Sequence, residues 1–115
     1  MNVLVVEDDE DVRRLLEAAL GERFQVASVA TGREAAHALL AQRPDIVLAD
    51  LEVPGLCGEA LALRARALAD PPAVYLMSGD HERLRAARRL AEETFSKPFS
   101  LLGVVDALGR CGAHA

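Results

Sequence analysis

The feature that most constrains the fold of this chain is a regular alternation of short apolar runs with longer amphipathic ones. Residues 3–6 and 46–49 are continuously apolar, which is typical of strands that are buried on both faces of a sheet. The stretches that follow such runs carry apolar residues at helical spacing, such as Leu16 and Leu20 before Gly21. The alternation therefore predicts an α/β fold in which strands and helices take turns along the chain.

This strand–helix unit can be traced through the whole sequence. Strands are predicted at residues 3–6, 24–30, 46–49, 73–77 and near 94–95. Among the helices, Thr31 is a predicted N-cap, Pro44 ends the second helix, and Gly109 and Gly112 end the last one. Because a helix rather than a tight hairpin follows each strand, the sheet is expected to be parallel, with helices on both faces. The prediction is a single (βα)5 domain.

Length and composition limit the function as well as the fold. A chain of 115 residues, 51% of them hydrophobic, suits one domain over residues 1–115 with no effector domain. The net charge of −5 and the lack of a basic tail argue against nucleic-acid binding by this segment. No apolar run approaches the ~20 residues of a membrane span and no signal peptide is visible, so we expect a cytoplasmic location without membrane insertion. Cys57 and Cys111 lack metal-type spacing and are expected to be free thiols.

Polar residues follow four of the predicted strands. A run of five acids, residues 7–11, follows the first strand, while Asp50 follows the third. Ser78 follows the fourth strand and Lys97 the fifth. Each has an ordinary explanation by itself, since acids favour a helix start, Asp and Ser serve as caps, and a lone lysine is usually solvated. Because the carboxyl ends of parallel strands share one edge of the sheet, where ligands bind, these groups are expected to meet there.

Carboxylates, a hydroxyl and an amine at one edge suit phosphoryl transfer. Clustered carboxylates repel one another, and a hard cation such as Mg²⁺ among them offsets that repulsion. Such a cation neutralises the charge that develops on a transferred phosphoryl group, and one carboxylate can attack phosphorus to form an aspartyl phosphate. A lysine ammonium and a serine hydroxyl are suited to bind the phosphoryl oxygens.

Four segments of the chain, in this order, resemble the motifs of the receiver domain of bacterial response regulators. They are residues 5–9 (Val-Val-Glu-Asp-Asp), 46–58 (Ile-Val-Leu-Ala-Asp-Leu-Glu-Val-Pro-Gly-Leu-Cys-Gly), 77–79 (Met-Ser-Gly) and 96–99 (Ser-Lys-Pro-Phe). Each motif is weak alone, whereas four in order at suitable intervals are highly specific, and the resemblance covers essentially the whole chain. It implies a flavodoxin-like, doubly wound sheet with strand order 2-1-3-4-5.

The resemblance also implies a role for each residue of the site. Asp50 would be the phosphoacceptor, and Ser78 and Lys97 would bind the phosphoryl group. The cofactor would be Mg²⁺. Its ligands would be Glu7, Asp8, Asp50 and the backbone carbonyl of Glu52.

Other positions bear on the resemblance more weakly. Asp9 matches a further acid of the first motif, Val53 replaces a usual methionine, and a cis peptide bond would precede Pro98. The segment between the third and fourth motifs is a few residues shorter than usual, so the fourth helix is expected to be trimmed or reoriented. Thr94 stands where the family places the aromatic side chain that swings inward on activation. Whether Phe95 replaces that ring is left open.

The leading interpretation is a signalling module for two-component phosphorelay. It would accept a phosphoryl group from a histidine kinase, a phosphotransfer protein or a small phosphodonor, and then control an unidentified downstream protein. It would be a stand-alone regulator or a receiver excised from a hybrid kinase. It would not be an enzyme beyond catalysing its own phosphorylation and dephosphorylation.

The sequence disfavours two other functions. A small phosphohydrolase is disfavoured because residues 50–52 (Asp-Leu-Glu) follow the third strand rather than the first, and no insertion builds a substrate cap. A pseudo-receiver that is never phosphorylated is disfavoured because both Asp50 and Lys97 are present.

Four arginines give the fourth helix a basic surface, which we interpret as a solvated face: Arg83, Arg85, Arg88 and Arg89.

Overall fold

A computed structural model describes residues 1–113 of the chain and shows strands and helices in strict alternation. The strands are β1 (Asn2–Val6), β2 (Gln25–Val29), β3 (Ile46–Asp50), β4 (Ala73–Ser78) and β5 (Glu93–Ser96). The helices are α1 (Glu10–Leu20), α2 (Gly32–Gln42), α3 (Gly58–Arg66), α4 (His81–Ala86) and α5 (Leu101–Ala113). A short 3₁₀ turn, Arg88–Leu90, follows α4. None of the helices within residues 1–113 is long and apolar enough to cross a membrane.

All neighbouring strands pair in parallel, and their order across the sheet is β2-β1-β3-β4-β5. The predicted fold class and strand order are therefore confirmed. The register places Val5 beside Leu48, Leu48 beside Tyr75, and Met77 beside Phe95. From β1 the chain runs to β2 on one side, and it then returns past β1 to continue with β3, β4 and β5 on the other side. The carboxyl ends of β1 and β3 therefore border the crevice where ligands bind in such folds.

The core consists of two layers, one on each face of the sheet, because successive side chains of a strand point to opposite faces. The layer against α2, α3 and α4 takes from the strands Leu4, Val6, Val47, Ala49, Val74 and Leu76. The layer against α1 and α5 takes from them Val3, Val5, Ile46, Leu48, Tyr75 and Met77. Every residue of β3 is buried, which agrees with the continuous apolar run of residues 46–49.

Both ends of α2 follow capping rules. The side chain of Thr31 caps α2 as predicted, by accepting a hydrogen bond from the Glu34 N–H at 3.1 Å. That helix ends at Gln42, and Arg43 takes a left-handed backbone (φ 47°) directly before Pro44. The peptide bond between Lys97 and Pro98 is cis, as the resemblance implied.

The structure corrects one predicted boundary and confirms another. The prediction that Gly109 and Gly112 end the last helix is wrong, because α5 continues through both to Ala113. A glycine inside a helix costs up to about 1 kcal/mol relative to alanine. The burial of Val104, Val105 and Leu108 against the sheet outweighs that cost. The fourth helix is trimmed as predicted, since α4 has only six residues.

Candidate functional site

Polar side chains from four strands meet at the carboxyl edge of the sheet. Glu7 follows β1, Asp50 and Ser78 are the last residues of β3 and β4, and Lys97 follows β5. Backbone hydrogen bonds extend the sheet to these residues, because the N–H of Glu7 donates to Val29 at 3.1 Å and that of Lys97 to Ser78 at 2.8 Å. The side chains are therefore placed by strand pairing rather than by mobile loops.

Lys97 forms ion pairs with two buried carboxylates. Its Nζ lies 2.5 Å from Oδ2 of Asp50, 2.9 Å from Oε1 of Glu7 and 3.1 Å from Oε2 of Glu7. Glu7 is fully buried and Asp50 is 3% exposed, whereas the Lys97 side chain is 26% exposed. One ammonium, open to solvent on one side, therefore holds two carboxylates together in a protein interior.

The two carboxylates differ in proton affinity. Burial, together with the neighbouring Asp50 carboxylate, raises the pKa of Glu7 to about 7, although Lys97 opposes the shift. Burial also acts to raise the pKa of Asp50, but hydrogen bonding with Glu52, Glu7 and Lys97 outweighs it and lowers that pKa below its ordinary value. Asp50 is thus kept ionised, which is the form that a nucleophilic carboxylate requires.

A metal ion would find a set of hard oxygen donors beside Asp50. One carboxylate oxygen from each of Glu7, Asp8 and Asp50 lies within 4.8 Å of the others, and Asp8 is exposed to solvent. Carboxylate oxygens with room for water are the ligands that Mg²⁺ prefers, so these residues fit that ion. Asp9 has a different task, because its Oδ1 accepts hydrogen bonds from the N–H groups of Asp11 and Val12 and caps α1.

The Ser78 hydroxyl donates a hydrogen bond to the carboxylate of Glu52 and accepts one from the N–H of Asp80 at 2.9 Å. The Glu52 N–H in turn donates to Oδ1 of Asp50 at 2.8 Å. Burial, and then hydrogen bonding with Asp50, raises the pKa of Glu52. The resemblance implies a role only for the backbone carbonyl of Glu52. No local pattern in the sequence indicates that the Glu52 side chain turns toward Ser78 at the end of β4.

Arg83, on α4, makes the most extensive contacts at the rim of the site. Its Nε and Nη2 donate to the two carboxylate oxygens of Glu59 at 2.7 and 2.8 Å, and its Nη2 also donates to the backbone carbonyl of Leu51 at 2.9 Å. The hydrogen bond from Arg83 lowers the pKa of Glu59. The prediction placed Arg83 on a solvated basic surface, but the side chain is half-buried, while Arg85, like Arg88 and Arg89, is exposed.

The aromatic position of the resemblance has no ring in this chain. Thr94 pairs with Leu76, whose side chain belongs to the core layer beside α4. Phe95 lies in the opposite layer and stacks on Tyr75, with ring centroids 6.2 Å apart. Because neighbouring residues of a strand face opposite sides of the sheet, Phe95 does not replace the missing ring at Thr94.

Comparison with known proteins gives one consistent family. The family model described as the response regulator receiver domain matches residues 3–108. Sporulation initiation phosphotransferase F of Bacillus subtilis is 29% identical over 92% of this chain and 89% of its own length. Regulatory protein VanRB of Enterococcus faecalis is 33% identical over 100% of this chain but only 56% of its own length. The chain thus spans nearly all of the first relative and little more than half of the second.

Solved structures agree with the sequence relatives. The signal receiver domain of a response regulator from Bermanella marisrubri superimposes with a TM-score of 0.86 at 28% identity, covering 95% of both chains. A response regulator receiver domain from Methylobacillus flagellatus gives a TM-score of 0.85 at 27% identity, covering 96% of this chain and 97% of that one.

Proposed function

Because this chain belongs to the response regulator receiver domain family of two-component phosphorelay signalling, we propose that it accepts a phosphoryl group on Asp50. The phosphodonor would be a histidine kinase, a phosphotransfer protein or a small phosphorylated molecule. The observation that carries the proposal is the convergence of Lys97 and Glu7 on Asp50 at the end of the central strand.

The chemistry follows from the groups present. An Asp50 oxygen attacks phosphorus, the bond from phosphorus to the donor's imidazole nitrogen breaks, and its electron pair stays on that nitrogen. The Lys97 ammonium then pairs with phosphoryl oxygens instead of the free carboxylate, and the Ser78 hydroxyl donates to another of them. The carboxylates of Glu7, Asp8 and Asp50 would hold Mg²⁺, together with the backbone carbonyl of Glu52 that the resemblance implies, and the ion would neutralise phosphoryl charge.

The products and partners of this reaction define a switch rather than a metabolic enzyme. The chain catalyses its own phosphorylation and dephosphorylation, and the signal passes to a downstream protein or to a region outside residues 1–115. A cytoplasmic location fits such phosphodonors, and the two free thiols, Cys57 and Cys111, favour a reducing compartment.

The test is incubation with acetyl phosphate and Mg²⁺, followed by intact-mass measurement and peptide mapping. One phosphoryl adduct is expected on the wild-type chain, and Asp50→Asn should abolish it. Asp45→Asn is the matched control, because Asp45 lies at the other end of the same strand, where it accepts a hydrogen bond from the Asn2 N–H at 2.8 Å. It should keep the adduct. An unchanged adduct in Asp50→Asn would show that another side chain is the acceptor.

A further inference from the structure

We infer that Arg83 is a positioning residue for phosphoryl transfer, which fixes the loop after β3 and the loop after β4 relative to each other. The inference rests on the proposed function of Asp50 and adds to it a group that does not touch the phosphoryl site. Arg83 is the third residue of α4, and its guanidinium reaches the second residue of α3, Glu59, and the loop that precedes α3.

The hydrogen bond from Arg83 to the loop lies directly beside Asp50 in the chain. The carbonyl of Leu51, which accepts from Nη2 of Arg83, belongs to the residue between the acceptor Asp50 and Glu52, the proposed carbonyl ligand of Mg²⁺. The same carbonyl also accepts from the Gly58 N–H at 3.1 Å, while the Leu51 N–H donates to Met77 at 3.0 Å. The guanidinium therefore completes a set of hydrogen bonds that fixes the peptide groups on both sides of Leu51.

The same arginine is joined through the backbone to the Ser78 hydroxyl. The N–H of Arg83 donates to Oδ1 of Asp80 at 3.1 Å, and the N–H of Asp80 donates to Oγ of Ser78 at 2.9 Å. Hydrogen bonds from one residue, Arg83, thus reach the loop that follows Asp50 and, through Asp80, the Ser78 hydroxyl at the end of β4.

Few apolar side chains hold α4 against the sheet. Of its six residues only Leu84 is buried, with Ala87 buried directly after the helix, whereas α3 buries four of its own residues. The polar contacts of Arg83 add to this packing. The planar guanidinium suits this task, because its fixed fork can bind both oxygens of Glu59 and still donate to a carbonyl. A lysine ammonium offers no such fork.

The expected consequence is kinetic. A small displacement of a positioned group can lower a rate substantially, by about 100-fold for 1 Å in unfavourable cases. We expect Arg83→Ala to lower the maximal rate of phosphorylation by acetyl phosphate about tenfold and to raise the half-saturating Mg²⁺ concentration. Arg83→Lys should recover only part of the rate. Glu59→Gln, which leaves the Leu51 contact available, should lose less than Arg83→Ala.

The experiment measures phosphorylation rate against Mg²⁺ concentration at a temperature where each variant gives a native NMR spectrum. Arg85→Ala is the matched control, since Arg85 lies two residues further along the same helix and is exposed. It should stay within about twofold of the wild type. If Arg83 only stabilised the fold, its variants would melt earlier but keep wild-type rates and Mg²⁺ dependence while folded, and that result would overturn the inference.

If Arg83→Ala does not fold, Arg83→Lys and Glu59→Gln are compared with the wild type in its place. Wild-type phosphorylation rates in both of these variants would also overturn the inference. Failure here is distinguishable from failure of the proposed function. A wild-type chain that takes up no phosphoryl group contradicts the role of Asp50. A wild-type chain that is phosphorylated normally, with Arg83 variants equal to it, contradicts only the role of Arg83.

Discussion

Lys97 Nζ lies within 3.1 Å of both carboxylate oxygens of Glu7, although 90 residues separate the two side chains in the sequence. Glu7 is fully buried, so this ammonium supplies much of the charge compensation that water would otherwise provide. Because Lys97 also pairs with Asp50, a change in the protonation of Glu7 alters the electrostatic environment of Asp50.

In metal-free buffer, Glu7 is expected to make the free energy of unfolding fall as the pH rises from about 4.5 to about 7. Its folded-state pKa is raised from 4.5 to about 7, so over this range the folded chain keeps a proton that the unfolded chain has released. Raising the pH removes that advantage. Glu7→Gln cannot release the proton, so its stability relative to the wild type should increase across the same range in urea unfolding.

The comparison with Glu7→Gln cancels the contribution of Glu59, whose pKa is lowered by Arg83 and whose stabilising effect is lost as the pH falls. The pKa of Asp50 is lowered from 3.8, so Asp50 stays ionised across the range in which Glu7 titrates. A constant difference between Glu7→Gln and wild type from pH 4 to pH 8 would show that Glu7 has an ordinary pKa.

Mg²⁺ is expected to raise the melting temperature of the wild type by mass action and to have no such effect on Asp8→Ala. Asp8 is exposed and offers a carboxylate oxygen within 4.8 Å of those of Glu7 and Asp50. Asp9→Ala is the matched control. It should cost about 1 kcal/mol through loss of the α1 cap while keeping the Mg²⁺ shift. Equal Mg²⁺ shifts in the wild type and Asp8→Ala would place the cation elsewhere.

Gly58→Ala is expected to destabilise the chain by about 1–3 kcal/mol and to slow phosphorylation. A Cβ at this position would lie 2.8 Å from both the backbone oxygen of Asp50 and the Cα of Leu51, so the acceptor loop would have to shift. Gly79→Ala is the control, because nothing lies within 4 Å of its added Cβ. Denaturant unfolding should show a change below about 1 kcal/mol for Gly79→Ala. Similar losses in both variants would contradict this account of the loop.

The conformational response to a phosphoryl mimic is expected to be concentrated between Ser78 and Phe99. Ser78 and Lys97 are the groups proposed to bind the new oxygens, whereas Thr94 offers no ring to follow the hydroxyl. A ligand shifts a two-state equilibrium only by its differential affinity, which here would come from those two contacts and from repacking around Phe95. Backbone NMR with and without beryllofluoride is the measurement. Large shifts across α2, with the Ser78–Phe99 segment quiet, would show that the signal leaves by another face.

Local patterns in the sequence predict much of the fold. An apolar run four to six residues long, followed by an amphipathic stretch, predicts a strand and its covering helix wherever it occurs, and parallel connection then places all strand ends at one edge. For this reason the position of Asp50, Ser78 and Lys97 at that edge followed from the order of elements. The prediction that α5 ends at Gly109 is wrong because the packing of the apolar face of this helix outweighs the low helix propensity of glycine.

The contacts that join one loop to the next were not readable in this way. The Glu52 carboxylate meets Ser78, and the Arg83 guanidinium meets Glu59 and Leu51, across 24 to 32 residues of chain. Whether such side chains turn inward depends on the distance and angle between α3, α4 and the sheet, which arise from the summed packing of many side chains. Local periodicity specifies which face of an element is apolar, but it carries no information about that relative placement.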